Sequence, residues 1–145
     1  MTRLFLAAAT LSGLTWLMSG QAFPQAAPGL RFELNRLEPR DNAACRVWFV
    51  LHNSGAEAVD PVRLDLVIFG RDGVVGRRIA VDVGPLPGGR TQARIFDLAG
   101  LACEGIGQVL LNDLLACGGA EPAQRNACLD RLTLASRVAA VPFEK

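Results

Sequence analysis

Residues Val47–Gly89 read VWFVLHNSGAEAVDPVRLDLVIFGRDGVVGRRIAVDVGPLPGG. Three clusters of turn residues cut the apolar runs: Asn53-Ser54-Gly55, Arg71-Asp72-Gly73 and Pro85-Leu86-Pro87-Gly88-Gly89. The runs between them are short and rich in Val, Leu and Ile, as expected of antiparallel strands joined by tight connections. Cys45–His52 places Cys45, Val47, Phe49 and Leu51 on one face and Arg46, Trp48, Val50 and His52 on the other. Both faces carry apolar groups, so this strand is expected to be central. Val62–Phe69 sends Val62, Leu64, Leu66 and Ile68 one way; Arg63 and Asp65, with Val67 and Phe69, go the other. Asp72-Gly73 is a hairpin signal, because Gly takes a positive φ without steric cost. Val74–Val83 follows as a fourth strand with Ile79, Val81 and Val83 inward, and Gly88 is expected to supply a positive φ in the next turn.

Outward from this stretch the same pattern continues. Leu30–Leu37 alternates apolar and polar residues and reads as a first strand with one wet face, closed by a turn at Glu38–Asn42. Thr91–Leu98 reads as a fifth strand with Ala93 and Ile95 toward the core, and Ile106–Leu111 as a sixth, central strand that is apolar on both faces. Pro122–Leu129 can form one or two helical turns, Pro being tolerated near a helix start, and Leu132–Val138 a short last strand. The expected fold is an all-β, immunoglobulin-like antiparallel β-sandwich of six to seven strands with a short irregular or helical C-terminal segment. A chain of 145 residues that is 50% hydrophobic supports one such domain, assigned to residues 30–145.

The N-terminus reads as an address. Met1-Thr2-Arg3 is a short positive start, Leu4–Met18 is apolar and uncharged, and Ser19-Gly20-Gln21-Ala22 offers small residues. This is the layout of a secretory signal peptide spanning residues 1–22, with cleavage expected after Ala22 and Ala26 or Ala27 as alternatives. The apolar run is shorter than the roughly 20 residues of a comfortable membrane span, so no stable membrane insertion is expected after cleavage. There is no twin arginine near the start, which points to the general export route. Residues 23–29 are rich in Pro, Ala and Gln and read as a flexible leader. The expected location is periplasmic or secreted.

Export gives meaning to the cysteines. Cys45, Cys103, Cys117 and Cys128 all follow the signal, and an even count in an exported chain favours two disulfides. Of the three possible pairings, Cys45–Cys103 and Cys117–Cys128 are preferred. The second closes a short loop through the flexible Gly118–Pro122 stretch, and the first ties an early strand to the approach of a late one. On the chain-entropy account such bridges contribute roughly 4 and roughly 3 kcal/mol. A four-cysteine zinc site is the rival reading, but the paired Cys-x-x-Cys knuckles of such sites are missing.

The formal net charge is +1, and falls to about zero once the signal, with Arg3, is removed. A neutral chain has no electrostatic footprint for nucleic acid and no polybasic cluster for an anionic lipid surface. Catalytic signals are equally sparse. His52 is the sole histidine and there is no tyrosine. A Ser-His-Asp hydrolase would need His52 as its base, yet His52 ends a strand, and no Gly-x-Ser-x-Gly elbow exists. Gly105-Ile106-Gly107 is too short for a phosphate or dinucleotide loop. Asp65, Asp72, Asp97, Glu104 and Asp113 are the candidates for a glycosidase-type carboxylate pair. Asp72 is explained by its hairpin, Asp97 and Asp113 are expected to bond turn backbone, and Asn112-Asp113 would form a polar pair at a domain end. No single loop gathers the oxygens of a calcium site. No catalytic, cofactor-binding or metal-binding residue is therefore expected, and no cofactor.

Trp48 is expected in the core, as a Trp on a central strand usually is. If it were instead exposed together with Phe69 and Phe96, the three would make an apolar patch of the kind that marks an interface.

His52-Asn53-Ser54-Gly55, the strand ending in Phe69, Asp72-Gly73-Val74-Val75 and Gly84-Pro85-Leu86-Pro87-Gly88 resemble the FxLyD-type immunoglobulin-like domains of bacterial envelope and secreted proteins. Residues 30–145 are also similar to a group of exported alphaproteobacterial proteins labelled by their signal sequence. The shared pieces are Leu37-Glu38-Pro39, Leu64-Asp65-Leu66-Val67, Phe96-Asp97-Leu98, Leu110-Leu111-Asn112-Asp113 and the four cysteines. The resemblance implies a β-sandwich and an envelope or secreted location, and it implies no activity. The resulting expectation is a non-enzymatic exported interaction module whose partner is another envelope protein, docked by strand addition at an edge. A structural accessory subunit of an envelope complex is the alternative, and a small hydrolase the third reading.

Overall fold

A computed structural model describes residues 29–145; the signal peptide and nearly all of the leader assigned from sequence lie outside them. The strands are β1 (Leu30–Arg40), β2 (Ala44–Asn53), β3 (Val62–Gly70), β4 (Val75–Asp82), β5 (Arg90–Leu98), β6 (Ile106–Cys117), β7 (Leu132–Ser136) and β8 (Phe143–Glu144), with one helix, α1 (Pro122–Asp130), between β6 and β7. They form two four-stranded sheets, ordered β5-β2-β1-β7 and β4-β3-β6-β8. The chain crosses between sheets after β2, β4 and β5, which gives the A-B-E and C′-C-F arrangement of an immunoglobulin-like sandwich in the first six strands. The expected all-β sandwich is therefore what the chain forms. Two short additions extend it: β7 joins β1 in parallel, and β8 joins β6 in parallel.

Alternation builds the core. Phe32 and Leu34 of β1, Phe49 and Leu51 of β2, and Leu64 and Leu66 of β3 are all fully buried. The expected central place of β2 holds, between β5 and β1, and its inward and outward residues alternate without interruption. In β1 the alternation would fail after Leu34, where Asn35 and Arg36 are both polar. A register shift between Leu34 and Arg36 restores it and turns Leu37 back toward the core. β1 also runs further than expected, through Pro39 to Arg40, so the turn is confined to residues 41–43.

Other expectations are corrected. β5 faces the opposite way: Ala93 and Ile95 are exposed, whereas Phe96 packs on the core and Leu98 is buried. The pairings Val47↔Phe96 and Trp48↔Ile95 fix this, because directly paired residues share a face. β6 does not end at Leu111 but continues to Cys117, which puts Asn112 and Asp113 inside the strand at a register shift opposite Asp65 and Leu66. Gly88 has no positive φ. That conformation belongs to Gly89, at 64°, and Gly88 is required because a Cβ there would lie 1.9 Å from the carbonyl oxygen of Ala56. The Gly73 expectation holds, with φ at 78° and the Val74 N–H donating to Asp72 Oδ1.

Both disulfides form as paired from sequence, Cys45–Cys103 and Cys117–Cys128. Cys45 lies on β2 of one sheet and Cys103 in the 3-10 turn that leads into β6 of the other, so the first bridge staples the sheets. The second holds α1 to the end of β6.

The two lateral sides of the sandwich differ. On the β7/β8 side, residues 137–142 link the sheets: Ser136 Oγ donates to the Val141 carbonyl, and Val109 N–H to the Pro142 carbonyl. On the β4/β5 side the joins are mostly made by arginines. Arg94 donates to the carbonyls of Val83 and Pro85, and Arg77 to that of Ala99. The outer backbone edges of β4 and β5 have no strand partner among the described residues.

Candidate functional site

The outer face of the β5-β2-β1-β7 sheet carries most of the polar chemistry. Register ranks its residues: Thr91, His52, Arg31 and Thr133 stand side by side, then Ala93, Val50, Glu33 and Ala135. Here a hollow of about 400 Å³ is lined by Arg31, Glu33, Val50, His52, Thr91 and Arg137. Glu33 is only 7% exposed although it lies on a solvent-side face. Its Oε1 accepts from Asn35 Nδ2 at 2.9 Å and from Arg137 Nε at 3.1 Å, and its Oε2 accepts from Arg31 Nη2 at 2.8 Å. The Asn35 hydrogen bond and the two guanidiniums hold its pKa below the ordinary carboxylate value, against the upward push of burial. His52 Nδ1 pairs with the Thr91 hydroxyl at 3.0 Å.

His52 therefore shares its hollow with one carboxylate, and that carboxylate is bound to arginines and an asparagine rather than to the imidazole. The geometry differs from a triad, in which an acid orients the base. The remaining carboxylates are spread over the sandwich. Asp65 is 3% exposed on the outer face of the other sheet; Arg78 clasps it bidentately at 2.8 and 2.7 Å and Asn112 Nδ2 donates to it at 2.6 Å. The Arg78 bonds, then Asn112, keep its pKa low. Asp97 does not bond turn backbone: Arg46 grips it from the neighbouring strand at 2.8 and 3.0 Å and holds its pKa down. Asp113 does cap backbone, at the Leu114 N–H, and also receives Arg125 Nη1 at 2.8 Å. Asp72 serves its hairpin. Glu104 sits in the 3-10 turn, where its carbonyl accepts Arg71 Nε. Among the described residues no three His, Cys, Asp or Glu side chains come together as a metal site would require.

The three aromatic candidates lie on three different surfaces. Trp48, expected in the core, is half-buried on the outer face of the first sheet, its Nε1 donating to Glu38 Oε2 at 3.1 Å beside the exposed Ile95. Phe96 points the other way and stacks on Phe49 with ring centroids 5.6 Å apart. Phe69 stands on the outer face of the second sheet, paired with Val75 across a register shift. They cannot act as one patch, because neighbouring residues on a strand face opposite ways and Phe69 belongs to the other sheet.

Among the described residues the large exposed hydrophobic side chains are instead Val74, Val75 and Ile95, at 62%, 56% and 48%. Val75 and Ile95 lie on β4 and β5, each at the end of its sheet, and Val74 immediately precedes β4. With Phe69, Val74 and Val75 make an apolar corner at the start of the β4 edge. Sequence reading missed Arg31, Glu33, Thr91 and Arg137 because Arg137 meets Glu33 only through the parallel β1–β7 join. A second hollow, about 360 Å³, lies against the β2–β3 loop, the Cys117–Cys128 bridge and Arg131, at the same end of β2 as His52.

No protein-family model, curated protein or solved structure matches this chain. Among the described residues no helix is long and apolar enough to cross a membrane.

Proposed function

We propose that this protein is a non-enzymatic, exported protein-interaction module of the cell envelope, periplasmic or secreted, of the FxLyD-like kind. One observation carries the reading: Val74 and Val75, the most exposed large hydrophobics among the described residues, stand at the start of edge strand β4, whose outer side has no strand partner among those residues. An open edge offers backbone donors and acceptors to an added strand, and an adjacent apolar corner offers the side-chain pocket that gives such docking its specificity. The two disulfides fit an oxidising compartment, and the N-terminal signal pattern fits export. The binding partner is then another envelope protein that contributes an extended segment.

A photo-crosslinking residue placed at Val74 in intact cells is expected to give a discrete protein adduct that disappears with Val75→Asp. The same adduct from a crosslinker at Glu121, on the loop that opens α1, or its persistence in Val75→Asp, would sink the β4 edge as the docking surface.

A further inference from the structure

The hollow on the first sheet is a separate feature from the β4 edge and does not rest on it. We propose that it is a receptor for a carboxylate group on a small ligand, with Arg31 and Arg137 as the clamp. Three properties carry this. First, the two guanidiniums come from different strands' neighbourhoods, Arg31 on β1 and Arg137 just after β7, and converge on one buried acid. Each spends a single N–H on Glu33; of the five donors an arginine owns, the rest have no partner among the described residues. Their side chains remain 55% and 69% exposed, so those donors are within reach of a ligand.

Second, Glu33 adds little that an apolar residue could not supply to stability, since an ion pair of this sort is readily replaced by hydrocarbon. What it does is hold both guanidiniums in place before anything binds, which removes much of the ordering cost that long side chains otherwise impose on binding. Third, the charge in the hollow selects the ligand. Two guanidiniums against one carboxylate leave a single positive charge in excess, matching a monoanion. A planar carboxylate also suits the planar guanidinium fork. Val50 forms an apolar floor, and the His52–Thr91 pair supplies polar groups for a hydroxyl or carbonyl next to the ligand's carboxylate. A volume of about 400 Å³ lies at the small end of ligand sites, so the ligand is of sugar-acid or dipeptide size.

His52 makes the test direct, because the only histidine of the chain reports from the hollow itself. Its imidazole ¹H–¹³C signals in the exported, oxidised protein are followed while glucuronate or acetyl-Ala-Ala is added. Glucose and the amidated dipeptide serve as uncharged counterparts. A saturable shift with at least one of the two carboxylates, absent with its counterpart, supports the proposal and shows whether the carboxylate is that of a sugar acid or a peptide terminus. Arg137→Gln and Arg31→Gln are each expected to weaken that binding about tenfold or more, with the remaining spectrum unchanged. The proposal is overturned if neither carboxylate shifts His52, if the uncharged counterparts bind equally well, or if inorganic phosphate binds more tightly than both. It is also overturned if both arginine variants, folded by the same spectra, bind as the parent does.

Discussion

Replacement of Asp65 separates a structural carboxylate from a chemical one. Asp65 is 3% exposed and accepts three hydrogen bonds, two from Arg78 and one from Asn112. Asp65→Ala removes all three. A hydrogen bond to a charged group is worth about 1.5–3 kcal/mol when its loss strands a buried partner. Here the Arg78 side chain is 66% exposed and Asn112 is exposed, so both partners recover water. The expected loss is therefore only about 1–2 kcal/mol in total. Asp65→Asn keeps the volume but turns an amide N–H₂ toward two donors, so it should cost at least as much. Asp65→Val sits beside Val67 and Ala80 and should come within about 1 kcal/mol of the parent, because the buried carboxylate is replaced by hydrocarbon of similar size while the exposed Arg78 recovers water. Urea midpoints at pH 7, with unchanged m, give the order Val, then Ala, then Asn. A loss above about 3 kcal/mol for Asp65→Val would refute the reasoning, since it would require the charge itself to hold β3, β4 and β6 together.

The same variants give a pH test. Arg78 first, and Asn112 after it, lower the pKa of Asp65 below its ordinary value of 3.8 despite burial. A carboxyl whose folded pKa is depressed contributes stability above its unfolded pKa and loses it as pH falls through the folded value. The gap between parent and Asp65→Asn should thus be full at pH 7 and narrow below about pH 4. Glu33 and Asp97 are lowered as well, but they remain in both proteins, so the gap isolates Asp65. A gap that stays constant down to about pH 2.5 would contradict this assignment.

Three further outcomes follow from the packing. Phe96→Ala should cost about 2–4 kcal/mol and Ile95→Ala less than about 1, measured by urea unfolding; the reverse order would restore the facing of β5 expected from sequence. Removing the Cys45–Cys103 bridge with paired Ser substitutions should cost about 4 kcal/mol, against about 3 for Cys117–Cys128; intact mass before and after reduction checks that the remaining bridge has formed. Gly88→Ala should lower the melting temperature more than Ala replacement at Gly105, where a Cβ meets nothing within 4 Å, and equal shifts would remove the close approach to Ala56 as the cause.

Much of the sandwich was legible because its signals are local. The apolar phase of β2 and β3, the Asp72-Gly73 hairpin and the short Cys117–Cys128 loop need only residues close in sequence, and pairing that loop leaves Cys45 to Cys103. The Asn53-Ser54-Gly55 cluster was legible as punctuation but not as an anchor. Asn53 is 3% exposed, and its side chain donates to the carbonyls of Glu57 and Leu86 while accepting the Gly55 N–H. That ties the β2–β3 loop to the β4–β5 connection, a contact whose distant partner no local pattern identifies. The hollow was illegible for a similar reason. Arg31 and Glu33 looked like the wet face of a strand, and Arg137 lies 104 residues from Glu33.

The fifth strand explains why function hid where fold was plain. Thr91–Leu98 offers two apolar phases, Ala93 with Ile95 and Phe96 with Leu98, and sequence alone has no means of choosing between them. The choice falls to tertiary context. Phe96 gains a stacking partner in Phe49, and Arg94, which shares its phase, escapes the core by reaching sideways to the carbonyls of Val83 and Pro85. Arg94 can do this only because β5 is an edge strand; in a central strand an arginine in that phase would be buried without water. The same edge position allows Ile95 to remain outside next to Trp48. A mixed pattern of this kind belongs to edges, where one side chain can leave the sandwich laterally. Edges are also where a partner strand can enter. β4 and β5, each at the end of its sheet, carry the exposed Val75 and Ile95, so at β5 the ambiguity in the periodic pattern and the availability for docking have one physical origin.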